Sequence, residues 1–262
     1  MTQQRRLNLV LELVSERGSV SIAEVGEALG VSTATVRRDL NLLAEQRLLT
    51  RTHGGASALG SGYELPLQYK IARQSEAKTA IARAVAGLVA PGDAVALNGG
   101  TTTSEVARVL GSSEVLGAGG GPGVTIVTNA LNIAFELSVR EHVKIVVTGG
   151  VPRRQSYELV GPLVASSLRD LSVDLAVLGV DGLSGRFGAT TVHEGEAEAS
   201  RGMAAVARRV VVAADATKLG RSTFARICAL DEVDLLVTER APDDDVAAEL
   251  AAAGVDVLLA GS

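Results

Sequence analysis

Tryptophan is absent from this chain and aromatic residues make up only 2% of it, so any core it buries must be assembled from valine, leucine, isoleucine and alanine. The single cysteine, Cys228, excludes an internal disulfide and matches a reducing compartment. Taken alone, it reads as a small buried hydrophobe. No stretch reaches the ~18 consecutive apolar residues of a membrane span, and Met1 to Arg6 is polar, without the apolar centre of a signal peptide. The expectation is a soluble cytoplasmic protein with no membrane partner. Strong positive charge is missing as well: the formal net charge is −5, which argues against a chain that coats nucleic acid along its whole length.

What is present is enough hydrophobic residue, 47% of 262 positions, for about two domains. The charge is divided unevenly. Residues 1–56 hold seven arginines against six carboxylates, and the remainder holds 18 basic residues against 24 acidic ones. The excess at the N-terminus is small, so a nucleic-acid role has to be argued from helix geometry.

That geometry lies in Ser32 to Leu43. At about 100° per residue, Val36, Leu40 and Leu43 share one face, while Ala34, Arg37, Arg38 and Asn41 fall on the opposite one. Ser32 stands where an N-cap belongs, and the free N–H groups of the first turn, with Thr33 and Thr35, suit a phosphate. A surface helix with two solvated arginines is the plain alternative. Before it, Leu7, Val10, Leu11 and Val14 predict a first helix, and Ser21 caps a second through Ile22, Val25 and Leu29. Gly30-Val31 makes the tight connection to the third, giving helix-turn-helix order. Leu48 to His53, ending in Gly54-Gly55, predicts a β-wing that brings Arg51 or His53 near a DNA backbone.

These residues resemble the DeoR-type transcriptional regulators, whose winged helix-turn-helix carries a Ser-x-x-Thr-x-Arg-Arg-Asp-Leu run and a His-Gly-Gly-Ala wing end. Here they are Ser32, Thr35, Arg37 to Leu40, and His53 to Ala56. Arg47 stands where the family usually has a glycine.

Ser57 to Gly62 turns to Ser, Ala and Gly, a linker composition, and Pro66 argues against a helix at the start of the mixed stretch that follows. Glu76 to Val89 returns to helical spacing. Beyond Asp93 come seven apolar runs separated by helical segments: 94–97, 125–128, 144–148, 174–180, 210–214, 234–238 and 255–259. They predict a mostly parallel sheet covered on both faces, with antiparallel edges left open and Gly117 to Gly123 as a loop insertion. The domains expected are a winged helix-turn-helix over 1–57, a linker over 58–75 and an α/β sheet domain over 76–262.

Ligands of such sheets gather beyond the carboxyl ends of the strands. The residues there are Asn98, Gly99, Gly100, Thr101, Thr102 and Thr103 after the first run, then Asn129, then Gly149 and Gly150. Asp181 follows the fourth run, and Asp215 and Lys218 follow the fifth. Two glycines, three hydroxyls and a helix N-terminus make an anion cradle without a Walker lysine. Singly, each has an ordinary role as turn, cap or solvated lysine; together they share one sheet edge. Of Glu194, Glu196 and Glu198, which read as a solvated helix face, only Glu194 is assigned to the ligand.

Here the chain is similar to the DeoR-type effector domain, itself similar in fold to ribose-5-phosphate isomerase and coenzyme A transferases. The matching landmarks are Lys78, Gly100-Thr101-Thr102, Val127-Thr128-Asn129, Thr148-Gly149-Gly150, Gly161, Glu196-Ala197-Glu198, Asp215 and Lys218-Leu219-Gly220. The resemblance implies a sensor for a phosphorylated sugar, hence a regulator of a sugar operon, a repressor released from a double-stranded DNA operator by that effector. A two-fold operator calls for a homodimer or higher oligomer. No catalytic residue, metal or cofactor is assigned. The competing reading is a sugar-phosphate isomerase with a DNA-binding appendage, but those isomerases carry a second carboxylate three residues after the Asp of their Asp-Gly motif, and that position here is Ser184.

Overall fold

The computed structural model describes residues 1–59, 66–70, 75–118 and 123–261. Most of the expected linker and the centre of the 117–123 loop lie outside these. The chain divides into two compact units, Met1–Arg73 and Gln74–Ser262.

The first unit opens with α1 (Gln3–Arg17), β1 (Ser19–Ser21), α2 (Ile22–Leu29) and α3 (Thr33–Glu45), followed by β2 (Thr50–Thr52) and β3 (Gly55–Ser57). The helices form where their caps say they should. Ser21 Oγ accepts from Glu24 N while the Glu24 carboxylate accepts from Ser21 N, a capping box, and Ser32 Oγ accepts from Thr35 N. Val10, Leu11, Val14, Val25, Val36, Leu40 and Leu43 close one apolar core. The expected wing is present, but β3 sits between β2 and a strand too short to read from sequence, β1. Gly55 is what allows this: a Cβ there would lie 1.8 Å from the Val20 carbonyl oxygen. At the end of α3, Arg47 N donates to Ala44 O and Leu48 N to Leu43 O, the paired bonds of a Schellman motif. Arg47 occupies its left-handed position with φ 57°, which accounts for the glycine preferred there in the family it resembles. Proline closes no door at Pro66. A helical turn, α4 (Leu67–Lys70), begins directly after it, since a proline before a helix removes no bond the helix needs; Tyr69 buries its ring in the core and donates its hydroxyl to Gln46 Oε1 at 2.8 Å.

The second unit runs α5 (Ser75–Ala86), β4 (Ala94–Leu97), α6 (Thr101–Gly111), α7 (Glu114–Gly117), β5 (Val124–Thr128), α8 (Leu131–Leu137), β6 (Val143–Val147), β7 (Val151–Pro152), β8 (Leu159–Val160), α9 (Pro162–Leu168) and β9 (Val173–Gly179). It continues with β10 (Gly182–Ser184), β11 (Gly188–Thr191), α10 (Glu194–Ala205), β12 (Ala207–Ala213), a 3-10 turn (Ala216–Lys218), β13 (Ala225–Cys228), β14 (Leu235–Thr238), α11 (Asp244–Ala253) and β15 (Asp256–Leu259). The seven apolar runs become the seven strands of one sheet, ordered β15-β14-β12-β9-β4-β5-β6. All six pairings are parallel. Alternate residues feed two cores. Val95, Leu97, Ile126, Val177 and Val211 pack with α5, α6 and α8, whereas Ala96, Val127, Leu178 and Val212 pack with α9 and α10 on the other face. Burial on both faces is why the interior strands are so apolar, while the edges β6 and β15 keep exposed residues. Two small antiparallel sheets, β7-β8 and β10-β11-β13, stand apart from the main one. Among the described residues, no helix is long and apolar enough to cross a membrane.

Candidate functional site

On α3 the side chains divide as the spacing predicts. Val36, Leu40 and Leu43 are buried, whereas Ser32, Thr33, Arg37, Arg38 and Asn41 are exposed and Thr35 is half-buried with its hydroxyl 3.0 Å from Ser32 Oγ. Asp39, in the same Arg-Arg-Asp run, does the opposite. It is 2% exposed and takes a two-point contact from Arg6, through Nε to Oδ2 and Nη2 to Oδ1, the second at 3.0 Å. That bond raises the Arg6 guanidinium above its ordinary range and pins α1 to α3, so the cationic face rests on a fixed support. In the wing, His53 is exposed, but Arg51 is half-buried and donates Nη1 to the Gly55 carbonyl. It closes its own hairpin, which takes one of its donors away from a DNA backbone.

At the carboxyl ends of the parallel strands the predicted residues separate into two groups. Several are structural. Asn98 donates Nδ2 to Gly179 O at 2.9 Å and to Ser200 Oγ at 3.0 Å and accepts from Gly179 N at 2.8 Å, tying β4 to β9. Asp215 accepts from Thr217 N at 3.1 Å and from the Thr217 hydroxyl, capping the 3-10 turn. Gly149 and Gly150 are needed for packing, because a Cβ would lie 3.0 Å from Leu163 Cβ and 2.9 Å from Leu159 Cβ respectively. Thr102 and Thr103 are buried, and the Thr103 hydroxyl turns back to Gly100 O at 3.3 Å. Glu194 is exposed on the outer side of α10. At Asn98, Thr103 and Asp215 other groups of the protein already satisfy polar atoms of the side chain.

The second group converges. Gly100 opens α6 at φ 132° with no side-chain cap, leaving the first-turn amides and Thr101 as the open end of that helix. Beside it lies Glu158, unflagged in the sequence and only 4% exposed. A Cβ on Gly99 would stand 2.2 Å from Glu158 Cγ and 2.7 Å from its Oε1, so Gly99 is a glycine because the carboxylate lies against it. Glu158 Oε2 accepts from Asn129 Nδ2 at 3.0 Å, and the same nitrogen reaches Leu159 O at 3.0 Å. Arg153, from the same hairpin, pairs with Glu196 at 2.8 Å. Glu196, 5% exposed, is therefore no part of a solvated face. Thr191 Oγ1 bridges Glu196 Oε2 at 3.4 Å and Asp181 Oδ2 at 3.0 Å, and Lys218 Nζ lies 3.6 Å from Asp181 Oδ1. The arrangement offers an open helix N-terminus for an anion and a chain of carboxylates, amide and cations for a polar ligand. A groove of about 420 Å³ between Arg186, Phe187, Arg226 and Glu249 shares none of these residues.

Sequence comparison matches residues 6–61 to the DeoR-like helix-turn-helix domain and residues 73–240 to the DeoR C-terminal sensor domain. The chain is 37% identical to the HTH-type transcriptional regulator GlpR of Haloferax volcanii over 98% of both chains. It is 33% identical to the glycerol-3-phosphate regulon repressor of Escherichia coli K12, over 92% of this chain and 93% of that one. With the HTH-type transcriptional repressor GlcR of Bacillus subtilis it shares 33% identity over 99% of this chain and 97% of the relative.

Proposed function

Because the chain belongs to the DeoR family of helix-turn-helix transcriptional regulators, we propose that it represses a sugar-utilisation operon and leaves its operator when a phosphorylated sugar binds at the strand ends. The observation that carries the first half is the split of α3, with its apolar residues buried and Arg37, Arg38 and Asn41 exposed on the opposite face. Ser32, Thr33 and the first-turn amides would take a phosphate, Arg37, Arg38 and Asn41 would read base edges, and His53 would meet the backbone from the wing. The effector's phosphate would sit on the uncapped start of α6, where the helix dipole favours an anion by ~0.3–1 kcal/mol, up to ~2 kcal/mol when partly buried. Relatives named for the glycerol-3-phosphate regulon support a phosphorylated small polyol as the class. A two-fold operator requires paired reading helices about 34 Å apart, so the active species would be a homodimer or larger.

The test is operator selection from random duplex DNA followed by binding with Arg37→Ala and Arg38→Ala. Either variant should lose about 1–3 kcal/mol where a base contact is removed, or about one unit of salt slope where a phosphate contact is removed. Unchanged affinity in both rejects the helix assignment. We assign no catalysis: Ser184 places a hydroxyl, 2.7 Å from Ser222 Oγ, where the isomerases have a second carboxylate. Turnover of ribose 5-phosphate would reverse that.

A further inference from the structure

A chain that builds its cores from aliphatic residues leaves all three of its phenylalanines at the surface, although phenylalanine is among the residues most often buried. Two of them have polar company. Phe187 has the Arg226 guanidinium over its ring, 5.8 Å from the centroid, and Phe224 follows Arg221-Ser222-Thr223. Phe135, 83% exposed, stands instead in an apolar stripe. Leu131 lies one helical turn before it, and Val139, 77% exposed, one turn after it and just past the end of α8. Beneath that helix runs β6, the last strand of the sheet. Val143 and Ile145 join Ile133 and Leu137 of α8 in one core, and strand alternation carries the exposed Val147 to the same face. Among the described residues no strand pairs with the outer side of β6. Free backbone groups therefore lie beside an exposed apolar stripe. Such an edge invites a further strand, and such a patch marks an association surface.

Charge decides what covers it. Around the stripe Glu136 and Glu141 stand beside Arg140 and Lys144, so a second copy turned about a two-fold axis can set acid against base. At the opposite edge of the sheet the helix before β15, α11, carries Asp244, Asp245 and Glu249 and no basic residue. A copy laid there would meet its own charge. We infer that two copies of this chain associate through the α8–β6 edge, with β6 antiparallel to its counterpart and Phe135 and Val139 buried between the two α8 helices. A two-fold axis normal to the sheet makes this a single isologous interface and carries the sheet across both copies. The inference rests on the proposed function for the need of a pair, because a two-fold operator is read by two helices, and it supplies the surface that pairs them.

Sedimentation of the full chain over a dilution series, without DNA, tests this. The wild type should be at least dimeric. Phe135→Asp and Val139→Asp should each weaken the association about 30-fold or more, while Phe224→Asp, a change on the other exposed phenylalanine, leaves it intact. Hydrogen exchange of the wild type over the same dilutions needs no variant to fold: amides of 131–147 should lose protection as the copies separate, and those of 224–228 and 256–259 should not. A chain that is monomeric throughout overturns the inference. So does an assembly that survives both Asp variants, or dilution-dependent protection at 224–228 or 256–259 in place of 131–147. These readings are independent of the Arg37 and Arg38 test. Association through this edge without operator binding rejects the proposed function and keeps the interface; operator binding by copies that pair elsewhere rejects the interface and keeps the function.

Discussion

Arg47 holds a left-handed conformation, φ 57°, with its side chain in solvent, where a residue with a Cβ loses ~1–2 kcal/mol. Glycine returns that strain but gives up ~0.5–1 kcal/mol of chain entropy. Arg47→Gly is therefore expected to stabilise the first unit by about 0.5–1 kcal/mol, read as a higher denaturant midpoint with an unchanged slope; a lower midpoint would mean that the arginine makes a compensating contact. Cys228 gives a chemical check on the second unit. Burial, helped by the charge of Glu232, pushes its thiol up to about 12, so at neutral pH hardly any thiolate exists to react. Thiol reagents should label it only as fast as the sheet opens, and immediate labelling of the native protein would contradict the packing. Individual site residues were the least legible feature of the sequence. Glu194 and Glu196 lie two positions apart on one helix, about 200° around it; the stretch is acidic on both sides, and only the arrival of Arg153 decides which carboxylate turns inward. Asn98 and Asp215 look like ligand contacts by position, but their nearest partners are backbone and hydroxyl groups of the same unit.

At the level of elements the legibility reverses. The seven strands announce themselves by largely apolar runs, most continuous in the sheet's interior and weakest at the half-exposed edges β6 and β15, whereas β7 and β8 have two residues each and β10, β11 and β13 mix glycine, serine, threonine and arginine. Nothing periodic marks such segments, and it is one of them, the β7-β8 hairpin, that carries Arg153 and Glu158. The α1–α3 junction is the element-level feature most open to test. Asp39→Asn leaves the Arg6 guanidinium without its ionic partner, and hydrogen bonds to charged groups contribute roughly 1.5–3 kcal/mol, so the first unit should lose about that much stability. A double-mutant cycle with Arg6→Ala should return a coupling of about 1 kcal/mol or more. Because Asp39 lies behind the exposed face, the salt slope of DNA binding by the folded variant should match the wild type; a shallower slope would place Asp39 at the phosphate contacts instead.

For the whole molecule, regulation requires the two ligands to work against each other. If a phosphosugar disfavours the operator-bound form, DNA must weaken the phosphosugar by the same factor, typically ~5- to 150-fold. Lys218, paired with Asp181 at 3.6 Å, is the residue at which the proposed sensing site is tested apart from DNA binding. Lys218→Ala should bind operator normally without effector and stay bound at effector concentrations that release the wild type; loss of operator binding in the absence of effector would make Lys218 structural, and normal release would remove it from the site. The topology of the sheet adds a consequence in time. In the first unit, β1 pairs with β3 by joining Ser19 to Ser57, so this unit has its partners in hand early. At the centre of the second, Val95 pairs with Leu175, and Ala94 N waits for the Asp174 carboxylate 80 positions later. Synthesis adds about 5–20 residues per second, so the residues of the helix-turn-helix precede β9 by several seconds, roughly 5–25 s, and only then can the sensing sheet close. Every newborn copy thus passes through an interval in which the residues of its DNA-reading unit are all made and those of its sensing sheet are not.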